Sequence, residues 1–193
     1  MSLDYTVMHS GIEYGIVRGG AEVVLVKTGL GTDRILPDSK YAVMARRLHE
    51  GGRRSVIVAT NPHDGVSHAE NDRAMLERYV SEQGIEDPTV FFFGNSNGCI
   101  KGLELAACGV TFGRMVLVNM PLMINFHRTK EYIARIPQTS ILAVFGERDP
   151  SISYVPFLEG RFENLRVLTV SGADHNFKGM ADEFVGLSDF LRV

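Results

Sequence analysis

Tryptophan is absent from the 193 residues, and cysteine occurs only twice, at Cys99 and Cys108. Nine residues apart on what reads as one helix, the two thiols stand too far apart for a disulfide, so no cross-linked framework supports the fold. Free thiols suit a reducing compartment. A surplus of positive charge is also missing. Twenty Lys and Arg against 23 Asp and Glu leave a formal charge of −3, which offers nothing to a phosphate backbone, and nucleic acid is not expected as a partner. No apolar run approaches the ~18 residues that span a bilayer. The N-terminal stretch MSLDYTVMHSGIEYG has neither the basic start nor the apolar centre of a signal peptide, so a cytoplasmic protein without a membrane partner is expected. Gly29-x-Gly31 stops short of the G-x-G-x-x-G that cradles a dinucleotide. Repeats, linkers and low-complexity segments are lacking too, and the length suits one domain over residues 1–193.

What is present is a regular alternation. Tyr5 to Met8, Ile12 to Val17 and Glu22 to Lys27 read as three short strands, and the intervening Ser10-Gly11 and Gly19-Gly20 predict antiparallel hairpins. Val23-Val24-Leu25-Val26 is uninterrupted apolar sequence, as a strand covered on both faces requires. Further strands are expected at 55–59, 89–93, 114–118, 140–145 and 165–170. Helical spacing appears from Asp38 to His49 with a stop at Gly51-Gly52, and after a Ser67/Glu70 capping box up to Gly84. It recurs after Ser96, near Thr129 to Arg135, and at Met180, Phe184, Leu187 and Leu191. Strands alternating with helices predict a three-layer, doubly wound, mostly parallel sheet of about eight strands with helices on both faces.

The stretch from Thr89 to Ala107, TVFFFGNSNGCIKGLELAA, places Gly94-Asn95-Ser96-Asn97-Gly98 between a strand and a helix. G-x-S-x-G at such a junction puts the serine on a tight turn with its hydroxyl exposed above the sheet end, and the flanking glycines avoid collision as the chain reverses. In a doubly wound sheet, ligands sit outside the carboxyl ends of the strands. Two more candidates lie there: Asp149, four residues after strand 140–145, and His175, five after strand 165–170. Ser96, Asp149 and His175 follow the Ser, acid, His chain order that accompanies this elbow. A histidine can take the serine proton during attack and return it to the leaving group, while the acid fixes the imidazole's tautomer.

Gly94 to Gly98, the loop Gly146-Glu147-Arg148-Asp149-Pro150, and Gly172-Ala173-Asp174-His175-Asn176-Phe177 together resemble the α/β-hydrolase family along essentially the whole chain. The resemblance implies a serine hydrolase that cleaves a small ester or thioester through an acyl-enzyme, with a small-molecule acyl substrate and no cofactor. It implies an oxyanion hole from the backbone N–H groups of Leu30 and Asn97, although Thr28 stands where the family commonly has histidine. The short 119–139 region implies a site without a lid. Acyl transfer or perhydrolysis on the same triad, and a non-enzymatic ligand-binding member of the fold, are the alternatives. The residues leave oligomeric state open, a homo-oligomer included. Asp174 beside the histidine is the alternative acid, but a sequence neighbour seldom reaches the far nitrogen of its own imidazole and Asp149 is preferred; Glu147 reads as a solvated loop charge. His63, Asp64 and His68 read as a turn and helix entry rather than a metal site, and no metal is expected.

Overall fold

In the computed structural model, which describes residues 3–50, 53–64 and 68–192, the apolar runs become one sheet. Its strands are β1 (Tyr5–His9), β2 (Ile12–Lys27), β3 (Arg54–Ala59), β4 (Thr89–Asn95), β5 (Arg114–Val118), β6 (Ser140–Gly146) and β7 (Leu165–Val170). The helices are α1 (Lys40–His49), α2 (Ala69–Glu82), α3 (Asn97–Ala107), α4 (Leu122–Ala134) and α5 (Ala181–Gly186). From β2 onward the neighbours β2-β4-β5-β6-β7 pair in parallel. β1 pairs antiparallel with β2 through a turn whose Ser10 (φ 49°) and Gly11 (φ 79°) both adopt the left-handed backbone of a tight hairpin.

The second expected hairpin does not form. Residues 12–17 and 22–27 belong to one long strand, β2, and they enclose β3 instead of pairing with each other. Ala21 to Lys27 follows β3 in parallel from Arg54 to Ala59, while the earlier half meets the opposite edge with descending partners, from Tyr14 opposite Ala59 to Val17 opposite Val56. Gly19-Gly20 therefore marks a crossing, not a hairpin turn. A Cβ on Gly19 would stand 2.1 Å from the Arg54 carbonyl oxygen, so only glycine passes there. Ser55 secures the crossing by accepting from Gly19 N–H (3.1 Å) and donating to the Gly20 carbonyl (2.9 Å). β2 thus supplies two of the roughly eight segments expected across the sheet.

Alternate strand residues face opposite layers, as a period of two dictates. Val23, Leu25, Phe92, Met115 and Leu117 join α2, α3 and α4 in one core, whereas Val24, Val26, Phe91, Phe93, Val116 and Val118 join α1 and α5 in the other. Each such side chain contributes about 1.5–3 kcal/mol by leaving water. α3 lies close to the sheet because Gly102 sits over the Phe92 ring. α1 begins at Ser39, whose hydroxyl accepts from Ala42 N–H. Its expected Gly51-Gly52 stop and Ser67 of the expected capping box lie outside the described residues. α4 is longer than the short helix expected near Thr129, since Phe126 in its middle packs on the Tyr154 and Phe157 rings. The terminal amphipathic segment divides into α5 and a 3-10 turn at Leu187–Arg192. Among the described residues no helix is long and apolar enough to cross a membrane.

Candidate active site

The parallel strands β2 and β4 to β7 end on one side of the sheet, where Leu30, Ser96, Asp149 and His175 follow β2, β4, β6 and β7. Ser96 comes first after β4. Its backbone (φ 52°, ψ −126°) occupies a region L residues avoid, at a cost on the order of 1–3 kcal/mol. Neighbours hold it there: Ser96 N–H donates to the Val118 carbonyl (2.8 Å), and the Ser96 carbonyl accepts from Cys99 N–H (3.0 Å). Gly98 lets α3 start against β2, because a Cβ there would meet the Lys27 and Thr28 carbonyl oxygens at 2.5 and 2.6 Å. One on Gly94 would stand 2.9 Å from the Cys99 backbone. The two elbow glycines are thus required by close approach. Cys99 is buried, its thiol pKa pushed well up by burial, and it donates to the Val118 carbonyl as a packing residue.

His175 reaches Ser96 from the loop after β7, with Nε2 2.9 Å from the serine Oγ. Its Nδ1 stands 2.5 Å from Asp149 Oδ2. Asp149 is buried, and its other oxygen accepts from Ser151 N–H (2.7 Å). A carboxylate at Nδ1 requires a proton on that nitrogen, so in the neutral ring Nε2 carries the lone pair facing the serine hydroxyl. Asp174 does not compete for this place. It accepts from Asn176 N–H (2.9 Å) and Lys178 N–H (3.0 Å), and these backbone donors hold its pKa below the usual carboxylate range. Glu147 is exposed but not merely solvated, since it binds Ser171 Oγ (3.0 Å) and Gly172 N–H (2.8 Å) and so closes the histidine loop.

Facing Ser96 is the loop Thr28 to Gly31. A Cβ on Gly29 would stand 3.5 Å from that of Ser96. Tyr41 Oη supports the loop from below, accepting from Gly29 N–H (3.3 Å) and Asn95 Nδ2 (2.9 Å). Thr28 N–H and Gly31 N–H are bonded to the Ala59 and Asn61 carbonyls. The N–H groups of Leu30 and Asn97 have no hydrogen-bond partner among the described residues. Leu30 follows Gly29, which lies beside Ser96, and Asn97 follows Ser96 in the chain.

No protein-family model matches the sequence, and no curated protein sequence does either. Solved structures do. ATU1826 of Agrobacterium tumefaciens, described as an α/β hydrolase of unknown function, superposes with a TM-score of 0.74 at 15% identity, covering 97% of this chain and 95% of that one. Est1E of Butyrivibrio proteoclasticus gives 0.70 at 10% identity over 97% and 96% of the two chains. XC6422 of Xanthomonas campestris, described as an α/β serine hydrolase without a lid, gives 0.68 at 17% identity over 97% and 92%. The chain has the α/β-hydrolase fold.

Two residues that sequence reasoning missed organise the site on this α/β-hydrolase scaffold. Asn119, fully buried after β5, uses its whole side chain: Nδ2 donates to the Asp174 (3.2 Å) and His175 (2.9 Å) carbonyls, and Oδ1 accepts from Gly146 N–H (2.8 Å). It ties the root of the acid loop to the histidine loop. Asn61, buried after β3, donates to the Thr28 carbonyl and to Asn97 Oδ1, both at 3.3 Å, and so joins the two sides of the free-donor pair. The only sequence signal for either was an asparagine one or two positions beyond an apolar strand.

The surrounding ionisable groups serve the scaffold. Lys27 and Asp72 are both fully buried, with Nζ 2.8 Å from one carboxylate oxygen and 3.0 Å from the other, and Tyr14 Oη donates to the carboxylate at 3.0 Å. Burial pulls the Lys27 pKa down and pushes those of Asp72 and Tyr14 up. His68 is buried against Asp64 (2.7 Å), while His63 is exposed. No three His, Cys, Asp or Glu side chains among the described residues group as a metal site would need.

Proposed function

We propose that this chain is a serine hydrolase that cleaves a small ester or thioester through an acyl-enzyme on Ser96. The carrying observation is the continuous hydrogen-bonded series Asp149, His175, Ser96 beside two unpartnered N–H groups. Ser96 Oγ attacks the carbonyl carbon as its proton passes to His175 Nε2, which then protonates the departing alcohol or thiol. Water repeats the sequence in reverse: His175 takes its proton, the hydroxide adds to the acyl carbon, and Ser96 regains its hydrogen with release of the acid. Asp149 holds the imidazole's tautomer and offsets the charge it gains. Leu30 and Asn97 N–H donate to the oxygen that becomes anionic, an interaction worth roughly 3–4 kcal/mol per donor in hydrolases of this kind.

The leaving atom is oxygen or sulfur in this proposal because the neighbours in structure span both. Est1E is known with ferulic acid bound, and the thioesterase domain from the curacin biosynthetic pathway superposes with a TM-score of 0.62 at 12% identity. An open approach supports a small substrate reaching Ser96 from solvent, with the His175 side chain 37% exposed. Turnover of p-nitrophenyl acetate and an acetyl thioester by the wild type, and its loss to below about one part in a thousand in Ser96→Ala, is the expected result. Undiminished activity in Ser96→Ala rejects the proposal.

A further inference from the structure

The side of the scissile bond that the protein grips is also open to argument, and the inference rests on the hydrolase reading above. A cavity of about 270 Å³ adjoins His175, lined by Pro121, Met123, Ile124, Pro150 and Ser151. Among the described residues no Lys, Arg, Asp or Glu lines it, and the Ser151 hydroxyl is already engaged by Leu122 N–H at 3.0 Å. Met123 and Ile124 are 57% and 80% exposed, although Leu122 beside them is fully buried. The first turn of α4 therefore anchors itself through Leu122 and leaves two large apolar side chains in water next to the imidazole. Exposed apolar surface of that kind, at the mouth of a site, marks a contact for an apolar group.

Stereochemistry decides which group. In the tetrahedral adduct on Ser96, the anionic oxygen must meet the N–H groups of Leu30 and Asn97, and the leaving atom must meet His175 Nε2. The cavity is bounded by His175 and by neither Leu30 nor Asn97. We infer that it receives the leaving group: the enzyme recognises an uncharged, apolar alcohol or thiol moiety, and the acyl moiety lies toward the exposed Leu30 with little enclosure. The substrate class is a short-acyl ester or thioester of an apolar alcohol or thiol.

Two series of esters separate the two sides. Acetates of methyl to hexyl alcohols vary the leaving group, and methyl esters of acetic to octanoic acid vary the acyl group. Along the acetates, kcat/KM is expected to rise about two- to fourfold per methylene until the cavity is filled, since a buried methylene contributes ~0.8 kcal/mol. Along the methyl esters it stays within about threefold overall. Ile124→Ser, at an exposed position, is expected to flatten the acetate series relative to methyl acetate in the same variant, and an acetate whose alcohol bears a carboxylate is expected to be disfavoured. A steeper rise along the acyl series, or an acetate slope unchanged in Ile124→Ser, overturns the assignment. Ser96 labelled by a fluorophosphonate with no rise along the acetates overturns it alone. Neither labelling nor turnover of any ester overturns the hydrolase reading and this assignment together.

Discussion

Breaking the Lys27–Asp72 pair should cost far more stability than removing it whole. At 2.8 Å and an effective dielectric of about 20, two unit charges attract by about 6 kcal/mol. Against this stands the loss of hydration for two fully buried ions, several kcal/mol each, so the intact pair contributes little net stability. Lys27→Met takes the ammonium from the buried Asp72 carboxyl, which keeps the Tyr14 hydroxyl as a donor, and a loss of about 3–5 kcal/mol is expected. For a domain whose total stability is about 5–15 kcal/mol, that is a large fraction. Asp72→Leu strands the ammonium and should cost about as much. The double variant Lys27→Met/Asp72→Leu removes both charges and should fall within about 2 kcal/mol of wild type, although Tyr14 Oη then loses its acceptor. Urea unfolding followed by circular dichroism gives the three values, and their double-mutant cycle gives the coupling. Additive single costs, or a single variant losing less than about 1 kcal/mol, would show that the two buried charges do not depend on each other. The pair also bears on the site. Gly98 packs on the Lys27 carbonyl, so the single variants should slow ester turnover even in the fraction that remains folded.

Asn119→Asp keeps the acceptor for Gly146 N–H and replaces the donor facing the Asp174 and His175 carbonyls with a carboxylate oxygen. Its kcat should fall about 10- to 100-fold with KM little changed and the pH profile of kcat displaced, and a wild-type profile counts against a positioning role. Asn61→Ala removes two long hydrogen bonds, each worth about 0.5–1.5 kcal/mol, so kcat/KM should fall roughly tenfold, together with the rate of Ser96 labelling. Lys40, which donates to the Asn176 carbonyl and lies 4.0 Å above the Phe184 ring, has its pKa lowered to about 8 by burial. The unfolded chain keeps that proton up to about 10.5, so the native state binds fewer protons between pH 8 and 10.5, and Lys40 makes stability rise with pH across that window. The wild-type minus Lys40→Met difference in unfolding free energy should increase from pH 8 to 10.5, and a flat difference contradicts this.

The candidate triad was legible in the sequence because each of its side chains stands within a few residues of an apolar run. Ser96, Asp149 and His175 stand just beyond strands that periodicity identifies, and their order limits how they meet. Leu30 and Asn97, whose role as oxyanion donors is part of the proposal, were picked out by position alone, because a backbone N–H has no side-chain signature. Asn61 and Asn119 were not, since their role depends on which loops the sheet order brings together, and a polar residue after a strand is ordinary in any turn. Glu147 is the exposed loop charge expected, and its bonds to Ser171 and Gly172 were hidden for the same reason, because those partners follow β7, 24 and 25 residues later. Gly19-Gly20 reads as a hairpin turn because local sequence does not disclose that β3 inserts between the halves of β2. The fold class itself was legible because alternation of apolar strands and amphipathic helices leaves few other packings.

In the proposed reaction Ser96 is a nucleophile activated by His175 and Asp149. Intact-protein mass spectrometry after treatment with a fluorophosphonate tests it directly. Wild type should give a single adduct that maps to Ser96, Ser96→Ala should give none, and His175→Ala should be labelled at least about a hundredfold more slowly. Wild-type protein that stays unmodified, or an adduct that persists in Ser96→Ala, would contradict it.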